Sequence, residues 1–234
     1  MYPMDYEEFR WAMGDQTTVP LLQQAFATKH ALGDAAHRKI MRDLRLYMLV
    51  GGMPQAVNTY LDTQNLSLVD GVKREILELY NDDFYKIDST GKAASMFKAI
   101  PAQLYGNAHR YQTTPVIGEV EDDTLLTLIH EMEESNTVNI AHHVDDPNVG
   151  LPMTDNLGSF KMYVGDTGLF VTLAFADKDV TENQMGDCGG LCPTQSPIPL
   201  SLSSCRPGRL CGLAGTHITQ TYWAGQLCWT AEYG

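Results

Sequence analysis

Every cysteine in this chain lies beyond Asp187, at Cys188, Cys192, Cys205, Cys211 and Cys228. The same stretch has no lysine and no aspartate, and Arg206, Arg209 and Glu232 are its only charged residues. The formal net charge of −13 over 234 residues therefore belongs to the part before it. A change of composition this abrupt marks a boundary between two kinds of chain. Residues 184–234 are set apart as a Cys/Gly/Pro-rich tail, expected to be irregular.

Three explanations of the tail stay open: a metal-binding module, a disordered extension, or sequence read out of frame. Tetrahedral zinc asks for thiolates converging from tight pairs, most often C-x2-C. Cys188-x3-Cys192 and Cys205-x5-Cys211, with His217 as a helper, lack that spacing. Disulfides do not suit a reducing compartment or an odd cysteine count. From Pro193 to Arg209 no helical or strand period is visible. Tyr222, Trp223, Leu227 and Trp229 supply apolar anchors near the end.

The body reads mainly as helices. Asp5 and Glu8 have capping-box spacing, followed by Phe9 and Met13 on one face and a stop near Gly14. Residues 19–31 carry Leu22, Ala25 and Phe26 at helical spacing. Asp34 is placed to cap a third helix, with Ile40, Leu44, Tyr47 and Met48 in step. Gly51-Gly52 ends it, and Pro54 opens the next helix in its first turn. Leu68, Val72, Ile76, Leu79 and Phe84 predict a long buried stripe with Lys73, Arg74, Glu75 and Glu78 facing out. Phe97 and Ile100 lie on a helix that Pro101 is expected to break or restart. Asp122 begins one more, with Leu125, Leu128, Ile129 and Met132 on its apolar side.

The period then changes to two. Val138, Ile140 and His142 alternate with polar or small residues, as do Phe160, Met162 and Val164. Asp145 to Ser159 reads as a loop between these strands. The expected fold is mainly α with a small α+β part: a helical bundle, then a winged-helix-like unit with a short two-stranded ribbon.

Chemical motifs are scarce. Ser89-Thr90-Gly91-Lys92-Ala93 has the Gly-Lys pair of a phosphate loop. However, Lys86 stands where the first glycine belongs, and Ala93 replaces the magnesium-binding hydroxyl. G-x-S-x-G and H-E-x-x-H are absent. His142-His143 with Asp145 and Asp146 is the best local metal candidate, but adjacent strand residues point to opposite faces. Glu131, Glu133 and Glu134 read as a solvated helix end, and so do Asp82, Asp83 and Asp88. The reading assigns no catalytic, cofactor-binding or metal-binding residue. The negative charge speaks against DNA, since phosphate contacts need basic residues, although Lys92, Lys98 and Arg110 offset it locally. No run of about 18 apolar residues exists, so no membrane span is expected. Met1 to Trp11 is not a signal peptide, so the expected location is cytoplasmic.

Four segments carry a family resemblance. Pro3-Met4-Asp5-Tyr6-Glu7-Glu8-Phe9 resembles the P-M-D-F-E-E-F segment that closes the ATPase core of prokaryotic AAA-type P-loop ATP-binding proteins. Tyr47 to Val57 resembles the family's G-G-M-P-x-A-V block. Ile100-Pro101-Ala102-Gln103-Leu104 resembles its I-P-x-Q-L block. Phe160 to Leu169 resembles its F-K-x-Y-x-x-D-T-G-L block. The resemblance spans about residues 3–183 and corresponds to a C-terminal DUF-type region. It implies that residues 1–32 are the end of an ATPase core, that 33–183 are the helical and winged-helix-like domain, and that ATP and magnesium belong to the core and not to this chain. It also implies an ATPase core, or another protein, as partner. Family members continue into a nuclease-like segment after the D-T-G-L block. Here Glu182-Asn183 is followed by the tail, so a frame change near residues 184–188 is expected. The reading is a non-catalytic accessory region or fragment of an AAA-type ATPase. The alternatives are a winged-helix module binding DNA or protein, and a zinc-binding protein using the tail.

Overall fold

A computed structural model describes residues 2–105, 110–144 and 155–175, together with the pairs 222–223 and 226–227. The tail cysteines, His217, Asp145, Asp146, Trp229 and the expected frame change lie outside the described residues. Nine helices and two antiparallel strand pairs occur among those that are described. The expected mainly helical architecture with one small ribbon is therefore the observed one.

The helices are α1 (Tyr6–Ala12), α2 (Thr18–Thr28), α3 (Asp34–Val50), α4 (Pro54–Thr63) and α5 (Leu66–Ile87). After them come α6 (Lys92–Tyr105), α7 (Thr114–Ile117) and α8 (Asp122–Glu134), then strands β1 (Val138–Val144) and β2 (Asp155–Val164), and finally α9 (Thr167–Ala174). Two short strands, β3 (Tyr222–Trp223) and β4 (Gln226–Leu227), pair within the tail.

The described residues divide into two compact units, the first built from those up to Tyr80 and from 165 to 175, the second from 81 to 164 with the pairs 222–223 and 226–227. Helix α5 contributes to both.

In the first unit, α1 starts as its sequence dictates. The Asp5 carboxylate accepts from the Glu8 amide at 2.7 Å, and Glu8 accepts from the Asp5 amide at 3.0 Å. Phe9 is fully buried and tilts against Tyr47 of α3 at 5.3 Å, while Tyr6 meets the same ring edge-on at 5.7 Å. Arg10 is buried as well. Its guanidinium reaches Asp15 at 2.5 Å and Asp43 at 3.1 Å, tying α1 to the start of α2 and to α3.

Asp15 also accepts from the amides and hydroxyls of Thr17 and Thr18. These donors, the Thr18 hydroxyl first and the Arg10 guanidinium next, hold its carboxyl far below the usual carboxylate range. A carboxylate whose folded pKa is depressed stabilises the fold above its unfolded value, and that stability is lost as pH falls toward the folded value. Asp15→Ala should cost about 1–2 kcal/mol near neutral pH, the range for losing a helix-start acceptor. The deficit should shrink on acidification. Urea titrations of both proteins across the acid range check this.

Asp34 does not cap α3. It is the first helical residue, Gly33 holds the cap position with φ +79°, and no side-chain bond forms there. In α5 the buried stripe runs through Val69, Lys73, Ile76 and Phe84, so Leu68 and Leu79 are exposed and Lys73 is inside. The expected stripe was correct at Ile76 and Phe84 and wrong at Leu68, Leu79 and Lys73.

The second unit has the order α6, α7, α8, then the ribbon, which is the outline expected of a winged helix. Pro101 does not break α6. The helix continues through it to Tyr105, and the Phe97 carbonyl forgoes the amide that a proline lacks. Burial of Met96, Phe97, Ile100 and Pro101 holds the turn together. Phe97 also tilts against Phe84 at 5.0 Å. In the ribbon Val138, Ile140 and His142 face Val164, Met162 and Phe160, with a register shift between His142 and His143. Strand β2 begins at Asp155, so the expected loop is shorter than 145–159. Tyr111 braces the unit, stacking on Phe160 at 5.6 Å and donating its hydroxyl to the Met96 carbonyl at 2.8 Å.

Candidate functional site

Three of the four motif blocks meet at one point in the first unit. Helix α3 ends at Gly51, whose φ of +83° and ψ of −177° lie in a region that essentially only glycine occupies. The stop was expected, but the backbone is extended there and not in a left-handed helical cap. This leaves the next peptide doubly engaged. The Gly52 amide donates to the Asp166 carboxylate at 2.6 Å, and the Gly52 carbonyl accepts from the Met4 amide at 2.7 Å. Tyr47 adds its hydroxyl to the Met4 carbonyl at 2.8 Å. Asp166 is the N-cap of α9, and its other oxygen accepts from the Leu169 amide at 2.8 Å.

Glycine is needed on both sides of this crossing. A Cβ built on Gly168 would stand 2.6 Å from the Gly51 Cα and from the Val50 carbonyl oxygen. A Cβ on Gly52 would overlap the Met4 carbonyl. The backbones of three distant segments thus touch directly.

Around the crossing sits a buried ionic group. Lys73 donates to the Leu49 carbonyl at 2.8 Å and to the Gly168 carbonyl at 3.4 Å, with Asp70 3.6 Å away. Asp70 in turn accepts from Thr172 at 2.6 Å and from Arg74 at 2.8 Å. Burial pushes the Asp166 carboxyl above its ordinary value, against the amides of Gly52 and Leu169 and the nearby Lys73, which work to lower it. Burial also pulls Lys73 below its ordinary value, against the attraction of Asp70 and Asp166. Asp70, Lys73, Asp166 and Thr172 are each no more than 3% exposed. No substrate reaches them as they stand. What the group does is hold α3, α5 and α9 in register.

The candidates singled out in the sequence fall elsewhere. The Gly91-Lys92 turn does not fit a nucleotide phosphate, because an internal carboxylate already takes the amides that a phosphate would use. Asp88 accepts from the Thr90 amide and hydroxyl, from the Lys92 amide at 2.7 Å and from the Ala93 amide at 3.4 Å. Burial opposes its charge, yet these donors outweigh it and hold the carboxyl below its usual value. Asp83 pairs with Lys86 at 2.7 Å, and Glu134 lies 3.3 Å from His130 on an exposed turn. No group of three or more His, Cys, Asp or Glu side chains placed to hold a metal occurs among the described residues.

Lys92 and Lys98 lie on different sides of α6, six residues apart. Arg110 lies beyond the far end of that helix, beside Gln103 and Leu104. The three basic residues therefore do not form one patch. Arg110 and Lys161 share a shallow depression with Gln103, Leu104, Tyr111 and Met162. No helix among the described residues is long and apolar enough to cross a membrane.

A family profile described as a domain of unknown function, DUF8612, matches residues 41–180. The chain belongs to this family. The matched span holds α4 through α9, most of α3, and both Gly52 and Asp166. Met4 and α1 lie before it. Nothing in the match ties the family to P-loop ATPases. No curated protein and no solved structure matches the chain.

Proposed function

We propose that this chain is the non-catalytic accessory region of an AAA-type P-loop ATPase, located in the cytoplasm, and that it meets its ATPase core through α1 and α2. One observation carries the reading. Residues 16–28 contain no charged side chain, yet Phe26 of α2 is 61% exposed, and Leu21 of α2 and Trp11 of α1 are each about half exposed. An uncharged helix with leucine and aromatic residues in solvent is the kind of surface that another protein covers. By resemblance this segment is the end of an ATPase core. The four resemblance blocks, in their order, supply the family side of the proposal.

ATP and magnesium belong to the partner in this reading, and the chain holds neither. DNA is less well supported, since α8, the helix before the ribbon, carries Asp122, Asp123, Glu131, Glu133 and Glu134 on its exposed side. Acidic residues there repel phosphate.

The test starts from the gene's DNA. Translation upstream of the Met1 codon should give a G-x-x-x-x-G-K-[ST] loop, and that core, co-expressed with this chain, should co-elute with it. Phe26→Asp should abolish co-elution without changing the helical circular dichroism. ATP hydrolysis by the purified chain alone sinks the proposal, and so does co-elution that survives Phe26→Asp.

A further inference from the structure

Helix α5 presents a second apolar face. Successive residues turn about 100° around a helix axis, which puts Leu68, Val72 and Leu79 within about 40° of one another, alongside the buried Val69–Lys73–Ile76 stripe. Leu68 is 52% and Leu79 62% exposed, and Val72 is half-buried between them. Gly71 lies beside this line with nothing within 4 Å of where its Cβ would be. An approaching backbone would meet no side chain there. Glu75 and Glu78 complete the face, both exposed. The cation nearest in sequence, Arg74, is bonded to Asp70 at 2.8 Å.

We propose that this face of α5 docks a basic amphipathic helix of a partner protein, its leucine-type residues laid along Leu68, Val72 and Leu79 and its lysines or arginines set against Glu75 and Glu78. Charge selects this occupant over the others. A second copy would bring Glu75 and Glu78 against their own equivalents in a chain of net charge −13. Nucleic acid and anionic lipid would meet carboxylates with no lysine or arginine free among them. A helix laid into an apolar line, read at i, i+4 and i+7 or i+11, is a recurrent recognition mode. Acidic flanks raise its association rate and fix its direction more than they add affinity. The inference is independent of the ATPase reading, which concerns α1 and α2.

The probe is a fluorescein-labelled synthetic Leu/Lys helix about 18 residues long, with a second peptide in which every lysine is glutamate. Both are titrated by anisotropy against the full chain at physiological salt. The lysine peptide should bind, and the glutamate peptide should bind at least about tenfold more weakly. Leu68→Gln with Leu79→Gln should weaken the lysine peptide by about tenfold or more, and Phe26→Asp should leave it unchanged. Glu75→Lys with Glu78→Lys should reverse the preference between the two peptides. All of these positions are exposed, so the fold survives, which circular dichroism verifies. Equal binding of the two peptides overturns the proposal, as does no binding, or binding indifferent to the leucine pair. Sedimentation that shows a dimer dissolved by Leu79→Gln assigns the face to a second copy and also overturns it, and binding to anionic vesicles through the same leucines does so in favour of lipid.

Discussion

Gly168→Ala should unfold the first unit or cost it about 3 kcal/mol or more, the upper end of what overpacking a fixed site does. The added methyl has no flexible neighbour to displace. It meets the Gly51 Cα and the Val50 carbonyl, both backbone atoms at the end of α3. Relief requires α9 to move away from α3. That movement would pull Asp166 off the Gly52 amide and Lys73 off the Gly168 carbonyl. Glycine at 168 is needed for space alone, unlike Gly51, whose positive φ adds a conformational demand. The contrast is Gly71→Ala, which adds a methyl to open helix surface. That variant should gain about 0.5–1 kcal/mol from helix propensity. Urea unfolding of the two proteins, compared at fixed pH, checks both signs. A Gly168→Ala midpoint equal to the parent's contradicts the close approach.

Lys73→Met should cost about 3–5 kcal/mol, because it leaves the buried Asp166 carboxyl without the cation beside it and Asp70 with Arg74 alone. It also strips a donor from the Leu49 and Gly168 carbonyls. Against a total stability of about 5–15 kcal/mol, such a loss is a large part of the whole. The pH dependence separates charge from packing. Asp166 has a raised folded pKa, so between its ordinary value and that raised one the folded chain keeps a proton that the unfolded chain has released. Stability therefore falls as pH rises through this window. Lys73 helps to lower that pKa, and without it the window extends to higher pH. The deficit of Lys73→Met should accordingly be smaller in acid than at neutral pH. Thermal and urea unfolding over that range measure it, and a deficit independent of pH assigns the effect to packing.

How far the sequence discloses this fold depends on the distance over which each residue acts. The Asp5–Glu8 capping box, the Gly51–Pro54 stop and restart, and the alternation at Phe160, Met162 and Val164 are all local, and each is where its spacing puts it. The capping role of Asp166 belongs with them, since its acceptor bond to Leu169 spans three residues. Lys73 could not be read in this way. A lysine among Arg74, Glu75 and Glu78 has the pattern of a solvated face, and the carbonyls that justify burying it are 24 and 95 residues away. Moving Lys73 inward rotates the whole helix, which is why Leu68 and Leu79 face solvent. Pro101 misleads for a related reason, because the packing of its neighbours outweighs the one hydrogen bond it removes. The crossing itself leaves a partial trace in the sequence: the glycines and Asp166 stand out, but nothing local says that they touch one another.

The two halves of that crossing also differ in when they are made. The Gly52 amide and the Asp166 carboxylate are 114 residues apart, and Asp70 and Thr172 are 102 apart. On a ribosome adding about 5–20 residues per second, the first 80 residues wait on the order of ten seconds for the segment that completes them. Closing so long a loop is an entropic debt met before any contact returns it, and such topologies fold slowly. During the wait Leu49, Val50 and the apolar side of α5 have no α9 to cover them. Newborn copies of this chain should depend on holding chaperones more than a helical protein of its size normally does, and a break in synthesis before Gly165 should leave a product that cannot close its first unit.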